Sequence, residues 1–308
     1  MIDARFYYAR DWRGSMRVVV TQPAEWHADG NRNFDAVLRD AERARVRFSS
    51  ADVMVLPELA GATLSDRRYR RRVEELARSL GSWVVGGSHH CTSSSGTVNR
   101  GVVADPGGSI VTEYEKLNPY GDEPVAGVRG GVRPGSLDVG GSQLLILLCA
   151  DFWYFDSLAS TSVQPDVVIV PAFSVTQRPA PGIARSLWRH MAVSRAYEVT
   201  AFVAISDWAH PSAYRGRTGC GVAGFAHPNP TTTRGLFRSL GNRSIAAFEP
   251  DFDALADLRE DRRRRNFAAS PHLGQPLTTL EHVPSAAHDK RSSSSTTKRS
   301  VPGSPTSS

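Results

Sequence analysis

The chain has 308 residues, 40% of them hydrophobic, and a formal net charge of +6, which is length and apolar content enough for one large domain with a sizeable core. No run reaches the roughly 18 consecutive apolar residues of a membrane helix, and the opening "MIDARFYYARDWRGS" lacks the apolar stretch of a secretory leader. Cys91, Cys149 and Cys220 cannot build a disulfide framework and show no zinc spacing, which fits a reducing cytoplasm.

Residues 1–15 read as an N-terminal extension. Short Val- and Ile-rich runs then predict strands at 16–21, 52–57, 83–88, 99–104, 109–114, 143–148, 166–171, 201–206, 219–225 and 244–248. Phe34, Val37, Leu38, Ala41, Ala44 and Phe48 share one helical face, and Tyr69, Val73, Leu76 and Leu80 share another, with Ser65 or Asp66 as its cap. A third helix is expected at roughly 183–198, on the alignment of Ile183, Leu187 and Met191. Strands alternating with helices imply an α/β sandwich. The helix-free succession of 83–88, 99–104 and 109–114 adds antiparallel hairpins, so the sheet is expected to be mixed. The domain is taken to end at 284. Residues 285–308, "SAAHDKRSSSSTTKRSVPGSPTSS", have the composition of a disordered tail.

The positive charge is uneven. "RRYRRR" (67–72) and "RRRR" (262–265) are basic runs, read as solvated helix faces because no aromatic nucleic-acid signature accompanies them. Of 37 Lys plus Arg, only Lys116, Lys290 and Lys298 are lysines, and the last two lie in the tail. Arginine serves ion pairs as well as lysine does, yet cannot replace a compact ammonium aimed at one atom. Lys116 is therefore a candidate for chemistry.

Three residues stand at predicted strand ends or in the loops just after them. Glu58 follows one in "VLPELAG", Lys116 follows another in "YEKLNPYGDEP", and Cys149 closes a third in "LLILLCADFW". Ligands of α/β sheets bind outside the carboxyl ends of strands, so these three can meet in one pocket. A carboxylate can take a thiol proton, and an ammonium can stabilise both a thiolate and an oxyanion. Together they make an acyl-transfer set without histidine. His89, His90 and Cys91 carry metal-ligating side chains, but no ligand spacing repeats, and the triplet reads as a surface loop. Cys220 reads as packing. A Cys–His protease using His190, His210 or His227 finds no supporting signature around Cys149.

The motifs "PEL", "YEKLNPYG" and "CADFW", in that order, resemble the nitrilase superfamily of carbon–nitrogen hydrolases. "TQPAEWHADGNRNFDAVL", "GTVNRGVVADPGGSIVTEYEK", "SRAYEV" and "FEPDFDALADLRED" are similar to its further signatures, so that the resemblance covers roughly 16–265. It implies a four-layer αββα sandwich with two mixed β-sheets, pairing into homodimers or larger assemblies. It implies Cys149 as nucleophile, Glu58 as general base and Lys116 as oxyanion stabiliser, with the N–H of Ala150 as second donor. Glu123 would position the substrate and the lysine. Asp151, Trp153 and Phe173 complete the expected substrate contacts. The substrate would be a small-molecule amide, cleaved to an acid and ammonia or an amine through a thioester. No cofactor, metal, nucleic acid or membrane is implied. Nitrile-cleaving members usually carry Cys-Trp-Glu where this chain has Cys-Ala-Asp, which is closer to the amidase branches. Carbamoylase-like members place arginines after the cysteine; here Phe152, Trp153, Tyr154 and Phe155 favour an apolar or aromatic acyl group. Nitrile or N-carbamoyl hydrolysis by the same triad, and a silent member acting as a binding protein, are the alternatives. The superfamily's Glu-Asn pair on the late helix reads Glu198-Val199 here.

Overall fold

A computed structural model describes residues 16–159, 161 and 163–267 of the chain, all within one compact unit. The expected extension at 1–15, the expected tail at 285–308 and the end of the expected domain lie outside the described residues. In chain order the elements open with β1 (Val18–Thr21), α1 (Gly30–Arg43), β2 (Val53–Val55), α2 (Asp66–Leu80), β3 (Trp83–Val85), β4 (His89–Ser93), β5 (Gly96–Ala104) and β6 (Ile110–Glu115). They continue with β7 (Val128–Arg129), β8 (Gly135–Val139), β9 (Ser142–Ile146), a 3-10 turn (Cys149–Trp153), α3 (Phe155–Ala159), β10 (Val167–Pro171), β11 (Val175–Thr176) and α4 (Gly182–Val199). The chain closes with β12 (Phe202–Ser206), β13 (Ala213–Tyr214), β14 (Arg217–Gly219), β15 (Gly224–Ala226), β16 (Phe237–Ser239), β17 (Ile245–Phe248) and α5 (Phe252–Arg264).

Among the described residues the strands form an eight-stranded sheet in the order β17-β1-β2-β3-β5-β4, with β6 and β7 also on β5, a six-stranded sheet β16-β15-β12-β10-β9-β8, and a small sheet β11-β14-β13. Both large sheets are mixed. β1, β2 and β3 run parallel, and β3, β5 and β6 pair antiparallel as expected. β9, β10 and β12 form the parallel centre of the other sheet.

Alternation along the strands builds the layers, because successive side chains point to opposite faces. Val18, Val20, Val53 and Val55 of the first sheet meet Leu144, Ile146, Val167 and Ile169 of the second in a core between the sheets. Val19, Met54 and Val84 face outward and pack on Phe34 and Val37 of α1 and Tyr69 and Val73 of α2. Leu145, Val168, Val170 and Val203 pack outward on Trp188, Ala192 and Ala196 of α4. Three cores separate four layers, which is the αββα sandwich expected.

Helix α2 starts as read: Ser65 is its cap, and its side chain accepts from the Arg68 N–H. Several local expectations need correction. α1 ends at Arg43, so Phe48 lies beyond it. Helix α4 does not bury the Ile183–Leu187–Met191 line; Ile183 and Leu187 are 53% and 50% exposed, and Trp188, Ala192, Ala196 and Val199 face the sheet. The small alanines let the helix axis approach the strands closely. The expected strand at 219–225 is broken, since Gly221 takes φ +65° between β14 and β15. The triplet His89-His90-Cys91 is not a surface loop but the start of β4, an edge strand, and His89 and Cys91 are buried. The basic runs lie on α2 and α5 and meet acids: Arg70 with Asp66 and Glu113, Arg72 with Asp35, Arg263 with Glu260 and Arg265 with Asp261. Among the described residues no helix is long and apolar enough to cross a membrane.

Candidate active site

Glu58, Lys116 and Cys149 each lie just beyond the carboxyl end of a strand: β2, β6 and β9 respectively. The first two strands belong to the eight-stranded sheet and the third to the six-stranded one, so the site forms only when the two sheets are stacked. All three side chains are buried. Cys149 opens the 3-10 turn with φ +46°. A non-glycine residue held there costs about 1–2 kcal/mol, and such strain concentrates where a side chain must be presented at a fixed angle.

The polar groups form a closed lattice. The Lys116 ammonium donates to Glu58 Oε1 at 2.8 Å and to Glu123 Oε2 at 2.7 Å. Asn99 Nδ2 donates to the other side of the same pair, to Glu58 Oε1 at 3.0 Å and Glu123 Oε1 at 2.9 Å. The remaining Glu58 oxygen accepts from the Phe173 N–H at 3.2 Å, and the Glu58 carbonyl accepts from Trp208 Nε1 at 2.8 Å. The Tyr120 N–H donates to Glu123 at 2.9 Å, and His90 Nε2 stands 3.5 Å from Glu123 Oε1. The Cys149 thiol lies 3.8 Å from the Phe173 carbonyl oxygen.

These contacts set the charge states. Burial disfavours the Lys116 ammonium, but the Glu58 and Glu123 carboxylates outweigh it and hold the group firmly protonated. Burial also pushes Glu123 upward; the His90 contact and the Lys116 charge reverse this and bring its carboxyl down to about 2. For Cys149, burial and the neighbouring Glu58 charge push the thiol well above its usual range, and Lys116 offsets them only in part. One cation between two carboxylates leaves a net negative surround, so the resting thiol keeps its proton.

Two cavities meet at Cys149. The smaller, about 40 Å³, is lined by Glu58, Lys116, Glu123, Cys149 and Phe173, with Tyr120, Tyr214, Arg215 and Arg217 toward its rim. The larger, about 250 Å³, is lined by Cys149, Ala150, Trp153, Tyr154, Phe173, Val175 and Trp188. Trp153 meets Trp188 edge to face at 5.5 Å, and Phe173 packs on Tyr214 at 5.0 Å. The structure thus brings together seven of the residues singled out in the sequence: Glu58, Lys116, Glu123, Cys149, Ala150, Trp153 and Phe173.

Asp151, expected among the substrate contacts, lines neither cavity. It is buried, and its carboxylate accepts from the Leu117 N–H at 3.0 Å and from Asn118 N–H at 2.7 Å and Nδ2 at 3.0 Å. It ties the lysine loop to the cysteine turn. Asn99, Tyr120 and Trp188 were not singled out, and His90 was noted only within the triplet His89-His90-Cys91. Asn99 sits in the motif "GTVNRGVV", which carried a signal for position but none for partners; the polar triplet gave no sign that His90 faces Glu123, and Trp188 carried none.

Residues 17–228 match the family model described as carbon-nitrogen hydrolase. Among solved structures, the fold is similar to that of the Nesterenkonia AN1 amidase from the nitrilase superfamily. A cysteine-to-serine mutant of that amidase gives a TM-score of 0.62 at 22% identity, covering 81% of this chain and 97% of that one. Its cysteine-to-alanine mutant in complex with butyramide gives 0.62 at 22% identity, covering 82% and 98%. A glutamate-to-glutamine mutant, showing Michael addition of acrylamide at its active site cysteine, gives 0.61 at 20% identity, covering 82% and 99%. No curated protein matches. The solved structures agree with the four-layer fold, and the family model spans more than two-thirds of the sequence, so the chain belongs to the carbon-nitrogen hydrolase family.

Proposed function

We propose that the protein hydrolyses the C–N bond of a linear amide through a thioester on Cys149. The observation that carries this reading is the Glu58–Lys116–Glu123 lattice facing the buried Cys149 across one cavity. Glu58 takes the thiol proton as the sulfur attacks the amide carbonyl. The resulting oxyanion is stabilised by the Lys116 ammonium and by the N–H of Ala150. Collapse of the tetrahedral intermediate breaks the C–N bond, and Glu58 gives its proton to the departing ammonia or amine. Glu58 then activates a water molecule that attacks the thioester; the C–S bond breaks, the acid leaves, and the sulfur regains a proton. Glu123 and Asn99 position the lysine and the base.

The larger cavity is lined mostly by aromatic and aliphatic side chains, with Cys149 and Ser174 beside them and no charged residue. It suits an apolar or aromatic acyl group; the cations able to meet a second carboxylate, Arg215 and Arg217, line the smaller cavity instead. The similar amidase has been seen with butyramide, so butyramide and an aryl amide are natural first substrates. The test measures ammonia release from amides, ureido acids and nitriles, with intact-mass detection of an acyl adduct. Turnover of amides with an adduct on Cys149 is the expected result. Absence of any adduct, or amide turnover that survives Cys149→Ala, would overturn the reading. The half-exposed Ile183, Leu187 and Tyr197 of α4 are the proposed contact between copies in a homodimer; a sedimentation mass unchanged by Leu187→Glu would reject that face.

A further inference from the structure

Edge strand β4 presents two faces. His90 points to the candidate active site, 3.5 Å from Glu123. His89 and Cys91, one residue to either side, project to the opposite face and meet Asp66, the first residue of α2. His89 Nε2 lies 3.3 Å from Asp66 Oδ1, and Cys91 Sγ lies 3.7 Å from the same oxygen. The three atoms fall within 4.8 Å of one another.

His89 is 1% exposed, and its ring stacks on Tyr69 at 4.2 Å. Its Nδ1 faces the Leu64 carbonyl oxygen at 3.3 Å. A carbonyl only accepts, so Nδ1 carries the ring proton. Nε2 is then a bare lone pair with no hydrogen-bond partner, aimed at a carboxylate oxygen. Two lone pairs facing each other in the interior call for a cation between them.

We propose that Asp66 Oδ1, His89 Nε2 and Cys91 Sγ form a binding site for a divalent cation of the zinc type, with water as fourth ligand. A mixed O, N and S donor set is what Zn²⁺ takes in tetrahedral sites. Metal–ligand bonds of that class place N and O about 3.4 Å apart and S and O about 3.6 Å apart across a tetrahedral angle. The separations of 3.3 Å and 3.7 Å fit this. The outer contacts are those that orient ligands. Leu64 holds the tautomer of His89. Arg70 Nε donates to the other Asp66 oxygen at 2.7 Å, and Arg100 Nη1 stands 3.7 Å from the sulfur. Both arginines are already answered, Arg70 by Glu113 at 2.6 Å and Arg100 by Glu115 at 2.8 Å. On binding, the Cys91 thiol gives its proton to solvent and a metal–sulfur bond forms, so that cation, thiolate and carboxylate sum to zero charge. The 39% exposed Asp66 side chain supplies the entry path. Occupancy would pin β4 to the start of α2 and so fix the strand that carries His90.

The test uses the chelator-treated full chain with Cys149→Ala, so that the other reactive thiol cannot serve as ligand. Zn²⁺ is titrated by calorimetry, and Co²⁺ by its thiolate charge-transfer absorption. One equivalent is expected, with a thiolate band, and with a rise in melting temperature under Zn²⁺. Adding Cys91→Ala should remove the band and weaken Zn²⁺ binding more than about tenfold. Asp66→Asn, on the half-exposed ligand, should weaken binding while leaving the fold and the band in place. No binding by a natively folded chain, or binding unaltered by Cys91→Ala, would overturn the site. Neither result touches the amide chemistry.

Discussion

The two cavities that meet at Cys149 are built on opposite physical plans. The smaller is ionic, and its polar partners come from separate segments of the eight-stranded sheet: Glu58 after β2, Asn99 in β5, Lys116 after β6, and Glu123 in the following loop. Its charges are buried and answer one another, which is the condition under which buried ions are tolerated. The larger is aromatic, is built mostly from the cysteine turn, Phe173 and α4, and keeps Trp153 and Tyr154 partly exposed. Changing one charge in the first plan strands its partners. Changing one ring in the second leaves a differently shaped hole. The first plan is suited to chemistry that stays constant, the second to a substrate preference that can vary.

The comparison can be broken most sharply at the sulfur. Cys149→Ala should lower amide turnover by at least about 10³-fold with unchanged circular dichroism; comparable turnover in that variant would remove the thioester. Lys116→Arg should lower kcat by about 10²–10³-fold, because a planar guanidinium cannot fill the place of a compact ammonium between two carboxylates. Near-normal kcat in Lys116→Arg would mean that a positive charge suffices at this place and the compact shape of the ammonium does not matter. On the aromatic side, Trp153→Ala should raise KM for an aryl amide by about tenfold while acetamide turnover changes little. Equal effects on both substrates would deny that the larger cavity receives the acyl group.

The smallest expected effect is on stability in acid. The Glu123 carboxyl is held near 2 in the native state against an ordinary 4.5. A carboxyl with a depressed native pKa contributes its stability above the ordinary value and loses it as the pH falls toward the native one. Native protein should therefore lose about 1–3 kcal/mol between pH 4.5 and 2 from this group. Glu123→Gln should flatten that part of the denaturation profile. An unchanged acid limb in the variant would show that Glu123 is not held by Lys116 and His90.

Much of this was legible because buried strands declare themselves. The strands β2 and β9 are buried, so they read as apolar runs, and their ends marked Glu58 and Cys149; Lys116, after the half-exposed β6, stood out as the one lysine ahead of the tail. β4 and β16 are edge strands of polar composition, and no apolar run announced them. α4 was placed correctly but turned the wrong way, since alanine contributes little to an apolar alignment even where it permits the closest approach. Asp151 looked like a substrate contact because it neighbours the thiol; its partners at 117 and 118 lie more than thirty residues away and meet it only once the sheets stack. Asn99 and His90 escaped because their partners Glu58 and Glu123 lie far along the chain and meet them only through strand pairing within the eight-stranded sheet.

The proton that the buried Cys149 sulfur retains at rest has a consequence for the lifetime of the protein. Peroxides and alkylating agents react with thiolates far faster than with thiols. A sulfur that ionises only as a carbonyl arrives is shielded from indiscriminate damage between turnovers, and reagents shaped like an amide should inactivate it where simple iodoacetate is slow.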